Sequence, residues 1–203
     1  MYKTLSETVK EIATIFISNE RKEILKPLIE YIQTKVENKQ EVRLNFICTH
    51  NSRRSHLCQV WAQTLANYFQ IKKVYSYSGG TEATALFPKV AQILEIQGFK
   101  IQKISEGINP VYGIKFDENQ LPMIGFSKTY FDDFNPKSNY AAVMTCSQAD
   151  NGCPFISGAE KRIAVTYNDP KEFDNSTLQQ EKYLERSLQI ASELYFVFSQ
   201  IKK

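Results

Sequence analysis

The sequence predicts an α/β fold, specifically a flavodoxin-like open sheet of four parallel strands with helices on both faces. Apolar or alternating segments typical of strands recur along the chain, and amphipathic segments lie between them. Strands that alternate with helices indicate a parallel sheet, because a crossover connection between parallel strands is usually helical. The predicted strands are residues 42–47, 73–78, 140–145 and 163–167.

The predicted helices of this α/β region have apolar side chains at three- and four-residue intervals. In the first of them, Leu57, Val60 and Trp61 fall on one side. Gly98 ends the second, since glycine commonly follows the last helical residue. The predicted helices are residues 52–68, 82–97 and 177–201.

Residues 1–40 are predicted to be a helical N-terminal extension of the α/β domain, which spans residues 41–203. Pro27 predicts the start of a second helix there, because proline is tolerated in a first turn and disrupts a helix interior. The extension either packs on the core or mediates homodimerisation or partner docking, and packing is the favoured interpretation.

Residues 108–138 fit the strand–helix rhythm least well and are treated as an insertion. Segments 111–116 and 123–130 are candidate strands of a hairpin, with a polar turn between them. Such an insertion is either a lid or wall over a functional site or an exposed flap, and the sequence leaves both open.

Composition excludes several classes of function. The chain has 203 residues, 42% of them hydrophobic, and a net charge of +3, so neither nucleic-acid nor membrane-surface binding is indicated. The N-terminus lacks the apolar core of a signal peptide, and no apolar run approaches the length of a membrane span. We therefore expect a cytoplasmic protein, in which cysteines are more often free, metal-binding or catalytic than structural disulfides.

The cysteine spacing argues against a metal site. Zinc ligands usually come in close pairs with two to four residues between them. Cys146 and Cys153 are farther apart than that, and neither His50 nor His56 lies near them in sequence. No metal and no bound organic cofactor are expected.

Cys48 follows the first predicted strand and opens a loop that has the form of an oxyanion cradle. In an open α/β sheet, ligands bind beyond the carboxyl ends of the strands. Backbone N–H groups of such a loop, with the following helix N-terminus, attract an anion and also favour thiolate over thiol. Arg54 can donate two parallel hydrogen bonds to a tetrahedral oxyanion. The predicted oxyanion-binding residues are Thr49, His50, Asn51, Ser52, Arg53, Arg54 and Ser55.

Three residues beyond this loop complete the candidate catalytic set. Asp169 follows the fourth predicted strand and precedes a proline, so its carboxyl group would project into the same crevice as a general acid. Cys146 follows the third predicted strand, and Cys153 lies seven positions later, just before another proline. Thiols so placed can pass a disulfide outward from Cys48.

These residues together resemble the low-molecular-weight protein tyrosine phosphatase superfamily, and more narrowly its thioredoxin-coupled arsenate reductase branch. The superfamily pattern Cys-x5-Arg-Ser with a late Asp-Pro is matched by Cys48, Arg54, Ser55 and Asp169. The reductase pattern Cys-x6-Cys-Pro is matched from Cys146 onward. The resemblance covers residues 42–203 apart from the insertion.

The resemblance implies a mechanism. Cys48 attacks arsenate, Cys146 then attacks Cys48 and releases arsenite, and Cys153 moves the disulfide to the Cys146–Cys153 pair, which thioredoxin reduces. If residues 146–153 are helical when reduced, their Cα separation is about 10 Å, whereas a disulfide requires less than about 7 Å. The segment is therefore expected to unwind on oxidation.

Two other functions are weighed against this one. If Cys146 and Cys153 are incidental thiols, the remaining residues describe a phosphomonoester hydrolase with Cys48 as nucleophile, Arg54 as anion clamp and Asp169 as general acid. Lys171 replaces the aromatic residue that usually follows Asp-Pro in tyrosine phosphatases, which disfavours phosphotyrosine. A non-enzymatic oxyanion-binding redox sensor or docking protein is disfavoured, because it does not need the complete catalytic set.

Overall fold

The computed structural model describes residues 1–153 and 155–203. Strands and helices alternate as the sequence predicts, and two helices precede them at the N-terminus. In chain order they are α1 (Lys3–Ile12), α2 (Asn19–Glu37), β1 (Val42–Cys48), α3 (Arg54–Tyr68), β2 (Val74–Gly80), α4 (Pro88–Ile96), β3 (Lys100–Lys103), β4 (Tyr112–Lys115), β5 (Met123–Gly125), β6 (Tyr140–Met144), α5 (Ser147–Gly152), β7 (Ala159–Ala164), a 3-10 turn (Pro170–Phe173) and α6 (Gln179–Ser199).

A four-stranded parallel sheet in the order β2-β1-β6-β7 forms the centre of the molecule, which confirms the predicted fold class. The register places Cys48 opposite Gly80 of β2, and Ile47 opposite Met144 of β6. Chain pairing continues past β6, because the Thr145 amide donates to the Ile47 carbonyl at 2.7 Å. The carboxyl ends of β1 and β6 therefore lie side by side.

The fourth strand was predicted at residues 163–167, but β7 is Ala159–Ala164. The chain after it remains tied to β6, because Val165 and Tyr167 donate to the carbonyls of Met144 and Thr145. The alternation of apolar side chains continues through this tail, which is why the sequence pattern gave a later strand.

The two faces of the sheet are covered unequally. The face that carries Leu44 and Phe46 packs against α1, α2, α3, α4 and α6 in the main core. The opposite face carries Ile47 and Met144 and packs against α5 in a smaller core that also includes Ile156. Cys48 and Cys146 belong to this smaller core, so this edge of the sheet lies under the thinner of the two layers.

The helical character of the first forty residues is as predicted, but the prediction that Pro27 begins a helix is wrong. Helix α2 begins at Asn19, where the Ser18 side chain accepts from the Arg21 amide at 3.2 Å, and Pro27 lies inside it. Proline removes the donor for the carbonyl four residues earlier. That residue is Glu23, which is exposed, so water can satisfy its carbonyl.

Two other helices begin later than predicted. Helix α4 was predicted from residue 82 and begins at Pro88, a first-turn proline, because residues 82–87 form a loop beside the Cys48 loop. Helix α3 begins at Arg54 rather than residue 52. The residues that were predicted to be helical form loops that hydrogen-bond to each other. The Glu82 amide donates to the Thr49 carbonyl at 2.8 Å, and the Phe87 amide donates to the Ser52 carbonyl at 3.0 Å.

The insertion contains the predicted hairpin, with one strand added and one shortened. Strands β4 and β5 are antiparallel, and β3, which was not predicted, pairs with β4 to complete a three-stranded sheet. The second hairpin strand was predicted to reach residue 130 but ends at Gly125. The chain then turns to the main sheet, where the Tyr130 amide donates to the Gly80 carbonyl at 2.9 Å.

Among the helices of the described residues, none is long and apolar enough to cross a membrane.

The packing of α2 gives a stability prediction. Leu28 is fully buried in the main core, whereas Ile24, one turn earlier, is 43% exposed. Leu28→Ala should lower the free energy of unfolding by about 2–5 kcal/mol, because it removes buried methyl groups and leaves a cavity. The matched control Ile24→Ala should change it by no more than about 0.5 kcal/mol. Urea unfolding of both variants checks this, and equal small effects would contradict integration of α2 into the core.

Candidate active site

The Cys48 loop (residues 49–53), which is the predicted anion loop, connects the carboxyl end of β1 to the N-terminus of α3. Asn51 has a positive φ of 43°, a conformation that asparagine tolerates better than most residues. Neighbouring backbone approaches so closely that a Cβ atom on Gly80 would lie 2.7 Å from the Asn51 nitrogen. Gly80 is therefore required at the end of β2 for the loop to close over it.

The thiol of Cys48 lies inside this loop and is almost fully buried. Its Sγ is 3.1 Å from Ser55 Oγ, and Asn51 Nδ2 donates to the same oxygen at 2.8 Å. Since Ser55 Oγ already accepts from Asn51, its own hydrogen is free to point at the sulfur. Ser55 is thereby oriented as a donor to a Cys48 thiolate, and Asn51 braces the loop.

Arg54 lies at the start of α3 with its guanidinium buried beside the loop. Nη1 donates to the Tyr167 carbonyl at 2.9 Å, and Nη2 forms an ion pair with Asp169. Nε is buried and has no hydrogen-bond partner in the described part of the chain. A buried arginine with one unsatisfied N–H is suited to an incoming oxyanion, because leaving that donor unpaired costs free energy.

Asp169 lies on the tail of β7, at the same edge of the sheet as Cys48. Besides pairing with Arg54, its carboxylate accepts from the Lys171 amide at 3.1 Å and caps the 3-10 turn. These contacts hold the carboxyl group at the mouth of the site. The prediction that Asp169 projects into the crevice agrees with this position.

A cleft of about 780 Å³ opens at this edge of the sheet. Residues from the Cys48 loop, from the start of α5 and from the chain after β7 line it, so three separate segments meet there. The lining residues are His50, Arg54, Cys146, Ser147, Gln148, Tyr167, Asn168, Asp169, Lys171 and Glu172.

The predicted oxyanion-binding residues do not all face this cleft. The Arg53 side chain turns away: Nε donates to the Tyr183 hydroxyl and Nη2 to Asp174, each at 2.6 Å, and the guanidinium lies 4.2 Å from the Phe87 ring centroid. Arg53 therefore ties the loop to α6 and to the 3-10 turn. His50 lines the cleft, and its Nε2 lies 3.7 Å from a Glu82 carboxylate oxygen.

Cys146 lies next to the loop, at the N-cap of α5. Its Sγ is 3.4 Å from Thr49 Oγ1 and accepts from the Ala149 amide at the same distance. The Cys146 thiol is buried, whereas Cys153, at the other end of α5, is partly exposed. The three thiols thus run outward from the anion loop, through the N-terminal end of a short helix, to its C-terminal end.

Cys58 is the remaining thiol of the chain and lies within α3, fully buried. Burial raises its pKa well above the ordinary value. A buried thiol with a raised pKa is a poor nucleophile, so Cys58 is a packed and inert cysteine.

Residues of the insertion brace the anion loop, a role that the sequence did not reveal. Ser127 Oγ donates to the His50 carbonyl at 2.9 Å, and the Lys128 amide donates to Asn51 Oδ1 at 2.9 Å. The insertion therefore forms a wall behind the loop rather than an exposed flap. No local pattern marks these positions, because their partners lie 77 residues away in sequence.

A buried polar layer lies beneath this wall. His56 Nε2 is 2.9 Å from the Asn51 carbonyl, and Nδ1 is 3.2 Å from Ser78 Oγ. Burial, with the Lys128 ammonium as a further cause, lowers the pKa of His56 to about 3. The imidazole is therefore neutral, with Nε2–H donating to the loop carbonyl.

The Lys128 ammonium is buried in an aromatic pocket of the insertion. It lies 4.3 Å from the Phe126 ring centroid and 5.2 Å from that of Phe134. These contacts are of the cation–π type and offset part of the cost of burying a charge. Burial lowers the pKa of Lys128 to about 8.

Within residues 1–153 and 155–203, no group of three or more His, Cys, Asp or Glu side chains is arranged to hold a metal ion.

The buried ammonium gives a pH prediction. Between the folded pKa of about 8 and the ordinary value of 10.5, the unfolded chain binds more protons than the folded chain at Lys128. Because of Lys128, the free energy of unfolding should therefore increase as the pH rises through this window. Lys128→Met should abolish that increase. Urea unfolding of both proteins between pH 7 and 10.5 measures it.

The control for this experiment is Lys137→Met, which removes an exposed lysine of the same insertion. It should leave the pH dependence of the wild type in place. Parallel curves for the wild type and Lys128→Met would contradict the buried charge.

Comparisons with known proteins agree with this fold. No family model matches the chain. An arsenate reductase 2 from Staphylococcus haemolyticus is 28% identical over 126 residues, which are 62% of this chain and 76% of that protein. An arsenate reductase from Staphylococcus aureus is 27% identical over the same shares of each chain.

Solved structures match the fold at lower identity. A low-molecular-weight protein tyrosine phosphatase from T. tengcongensis has a TM-score of 0.55 and 13% identity, covering 79% of this chain and 100% of the other. One from Vibrio cholerae has a TM-score of 0.52 and 13% identity, covering 78% and 94%. An arsenate reductase in the phosphate-binding state has a TM-score of 0.50 and 18% identity, covering 79% and 99%.

The comparisons confirm the resemblance drawn from the sequence, both in the sequence homologues and in the fold. Arsenate reductases are sequence homologues of the chain, and its fold is that of the low-molecular-weight protein tyrosine phosphatases.

Proposed function

We propose that the protein reduces arsenate to arsenite through Cys48, Cys146 and Cys153 and returns to the dithiol form by exchange with thioredoxin. The observation that carries the proposal is the outward series of thiols, in which Cys146 lies beside the anion loop and Cys153 reaches the surface. A phosphatase needs only the first of the three. The sequence homologues that are arsenate reductases support the same choice.

In the first step, the Cys48 thiolate attacks the arsenic atom of arsenate held by the loop amides and Arg54. An S–As bond forms, and one arsenate oxygen leaves as water after accepting protons. We assign the proton transfer to Asp169: arsenate takes its place on the Arg54 guanidinium, and the released carboxyl group, held at the mouth of the cleft, carries the proton to the leaving oxygen. Ser55 donates to the sulfur and stabilises its negative charge as it attacks.

In the second step, the Cys146 thiolate attacks Sγ of Cys48. The S–As bond breaks, its electron pair stays on arsenic, and arsenic(V) leaves as arsenic(III). The two sulfurs are oxidised to a Cys48–Cys146 disulfide. The contact between Thr49 Oγ1 and Cys146 Sγ places the attacking thiol against the loop that holds its target.

In the third step, the Cys153 thiolate attacks Sγ of Cys146, and Cys48 leaves as a thiolate. The disulfide now joins Cys146 and Cys153. Thioredoxin supplies two electrons by thiol–disulfide exchange and regenerates both thiols. A cytoplasmic location fits this cycle, because the cytoplasm supplies such reductants. The relay needs no bound metal or organic cofactor.

Cysteine variants separate this relay from phosphoester hydrolysis. With thioredoxin, thioredoxin reductase and NADPH, the wild type should oxidise NADPH continuously when arsenate is added. Cys153→Ser should stop after at most one turnover, because its disulfide stays on Cys48 and Cys146. Absorbance at 340 nm measures the turnover.

Cys58→Ala is the matched control, since it removes a thiol that is buried away from the cleft. It should retain multiple turnovers. If the wild type shows no arsenate-dependent oxidation while it and Cys153→Ser hydrolyse an aryl phosphate equally well, the protein is a phosphatase and the relay is wrong.

A further inference from the structure

The helix between the two outer thiols is incompatible with a bond between them. Helix α5 spans only Ser147–Gly152, with Cys146 at its N-cap and Cys153 at its C-cap. Seven helical residues separate Cα atoms by about 10 Å, and a disulfide requires less than about 7 Å. The helix must therefore open whenever Cys146 and Cys153 are joined.

A helix of this length does not persist by its own hydrogen bonds. Isolated helices shorter than about 12–15 residues are marginal in water, and α5 buries a single side chain, Ala149. Its stability in the reduced protein must come from contacts with the rest of the molecule.

Arg162 supplies those contacts at the C-terminal end of α5. Its Nε donates to the Cys153 carbonyl at 2.9 Å, and its Nη2 contacts both the carbonyl and the carboxylate of Asp150. The last carbonyls of a helix lack intrahelical partners, and a positive charge there also complements the helix dipole. One guanidinium thus satisfies the end of the helix and holds the backbone of a reactive cysteine.

The central sheet carries this guanidinium. Arg162 lies within β7, where it is paired with Ala142 of β6 in the parallel sheet. The sheet does not need to move when α5 opens. The contact between Arg162 and α5 is therefore made or lost by α5 alone.

We propose that Arg162 is a positioning residue that latches α5 in the dithiol state, releases it when the Cys146–Cys153 disulfide forms, and thereby sets the reduction potential of that pair. The inference deepens the proposed relay and depends on it. Arg162 takes part in no covalent step: Cys153 attacks Cys146, the new S–S bond forms, the Cys48–Cys146 bond breaks, and Cys48 leaves as a thiolate.

The latch has two consequences for the cycle. Before substrate binds, it disfavours premature disulfide formation by stabilising the helix that separates the two thiols. After thioredoxin has reduced the pair, it draws the segment back and returns Cys146 to the anion loop.

The test compares Arg162→Met and Arg162→Lys with a parent protein that carries Cys48→Ser. The parent confines redox chemistry to Cys146 and Cys153, so the result does not depend on arsenate. Each protein is equilibrated with mixtures of reduced and oxidised dithiothreitol, alkylated, and analysed by mass spectrometry for the fraction of Cys146–Cys153 disulfide.

Arg162→Met should shift the equilibrium toward the disulfide by about tenfold, the size expected when hydrogen bonds to a charged group are lost from the dithiol form. This corresponds to a reduction potential about 30 mV more negative for a two-electron couple. Arg162→Lys should fall between, because it keeps the charge and loses the planar fork. Lys161→Met, on the same strand but paired at 3.9 Å with Glu30 of α2, should match the parent.

A second measurement distinguishes a latch from general structural support. Thermal unfolding of Arg162→Met should show a lower Tm than the parent for the dithiol form and an unchanged Tm for the disulfide form. Equal losses in both forms, or an unchanged potential, would overturn the latch and leave the relay standing. A parent that forms no Cys146–Cys153 disulfide at any potential would overturn both.

Discussion

The parallel register of the central sheet is the constraint on which the site depends. Pairing of β1 with β6, and of β6 with β7, brings the carboxyl ends of these strands to one edge. The anion loop leaves β1, the first outer thiol follows β6, and the aspartate follows β7. A shift of one residue between β1 and β6 would turn side chains to the opposite face of the sheet and separate Cys48 from Cys146.

Several interactions converge on this one edge. Arg54 joins the loop to the chain after β7 through Tyr167 and Asp169. The insertion supports the loop from behind through Ser127 and Lys128. These supports come from distant parts of the sequence, so the loop is held from two sides. The proposed anion would then bind to a backbone that is already in place, which reduces the cost of binding. Helix α5 is the one element at this edge that the proposed relay requires to change conformation, and its short length makes opening possible.

Much of this architecture could be predicted from the sequence, because it is encoded locally. Alternating apolar residues marked the central strands, and the spacing from Cys48 to Arg54 marked the anion loop. The predictions that failed concern residues whose conformation or role depends on tertiary contacts. Pro27 was taken as a helix start, but the residue whose carbonyl loses its donor, Glu23, is exposed in the folded protein, and the helix continues through the proline. Lys128 and Arg162 look like ordinary surface charges in the sequence, and only their contacts with the loop and with α5 reveal their roles. Tertiary pairing decides such positions, and no periodicity records it.

The proposed relay requires that Cys146 attacks the Cys48–arsenic adduct and forms a disulfide with Cys48. Neither water nor the external reductant should resolve that adduct. The direct test treats the reduced Cys153→Ser variant with one equivalent of arsenate, alkylates the remaining thiols and maps the peptides by mass spectrometry. The account predicts a disulfide between Cys48 and Cys146 and one equivalent of arsenite. Release of arsenite with both thiols alkylated, or no arsenite at all from a protein that binds arsenate, would contradict it.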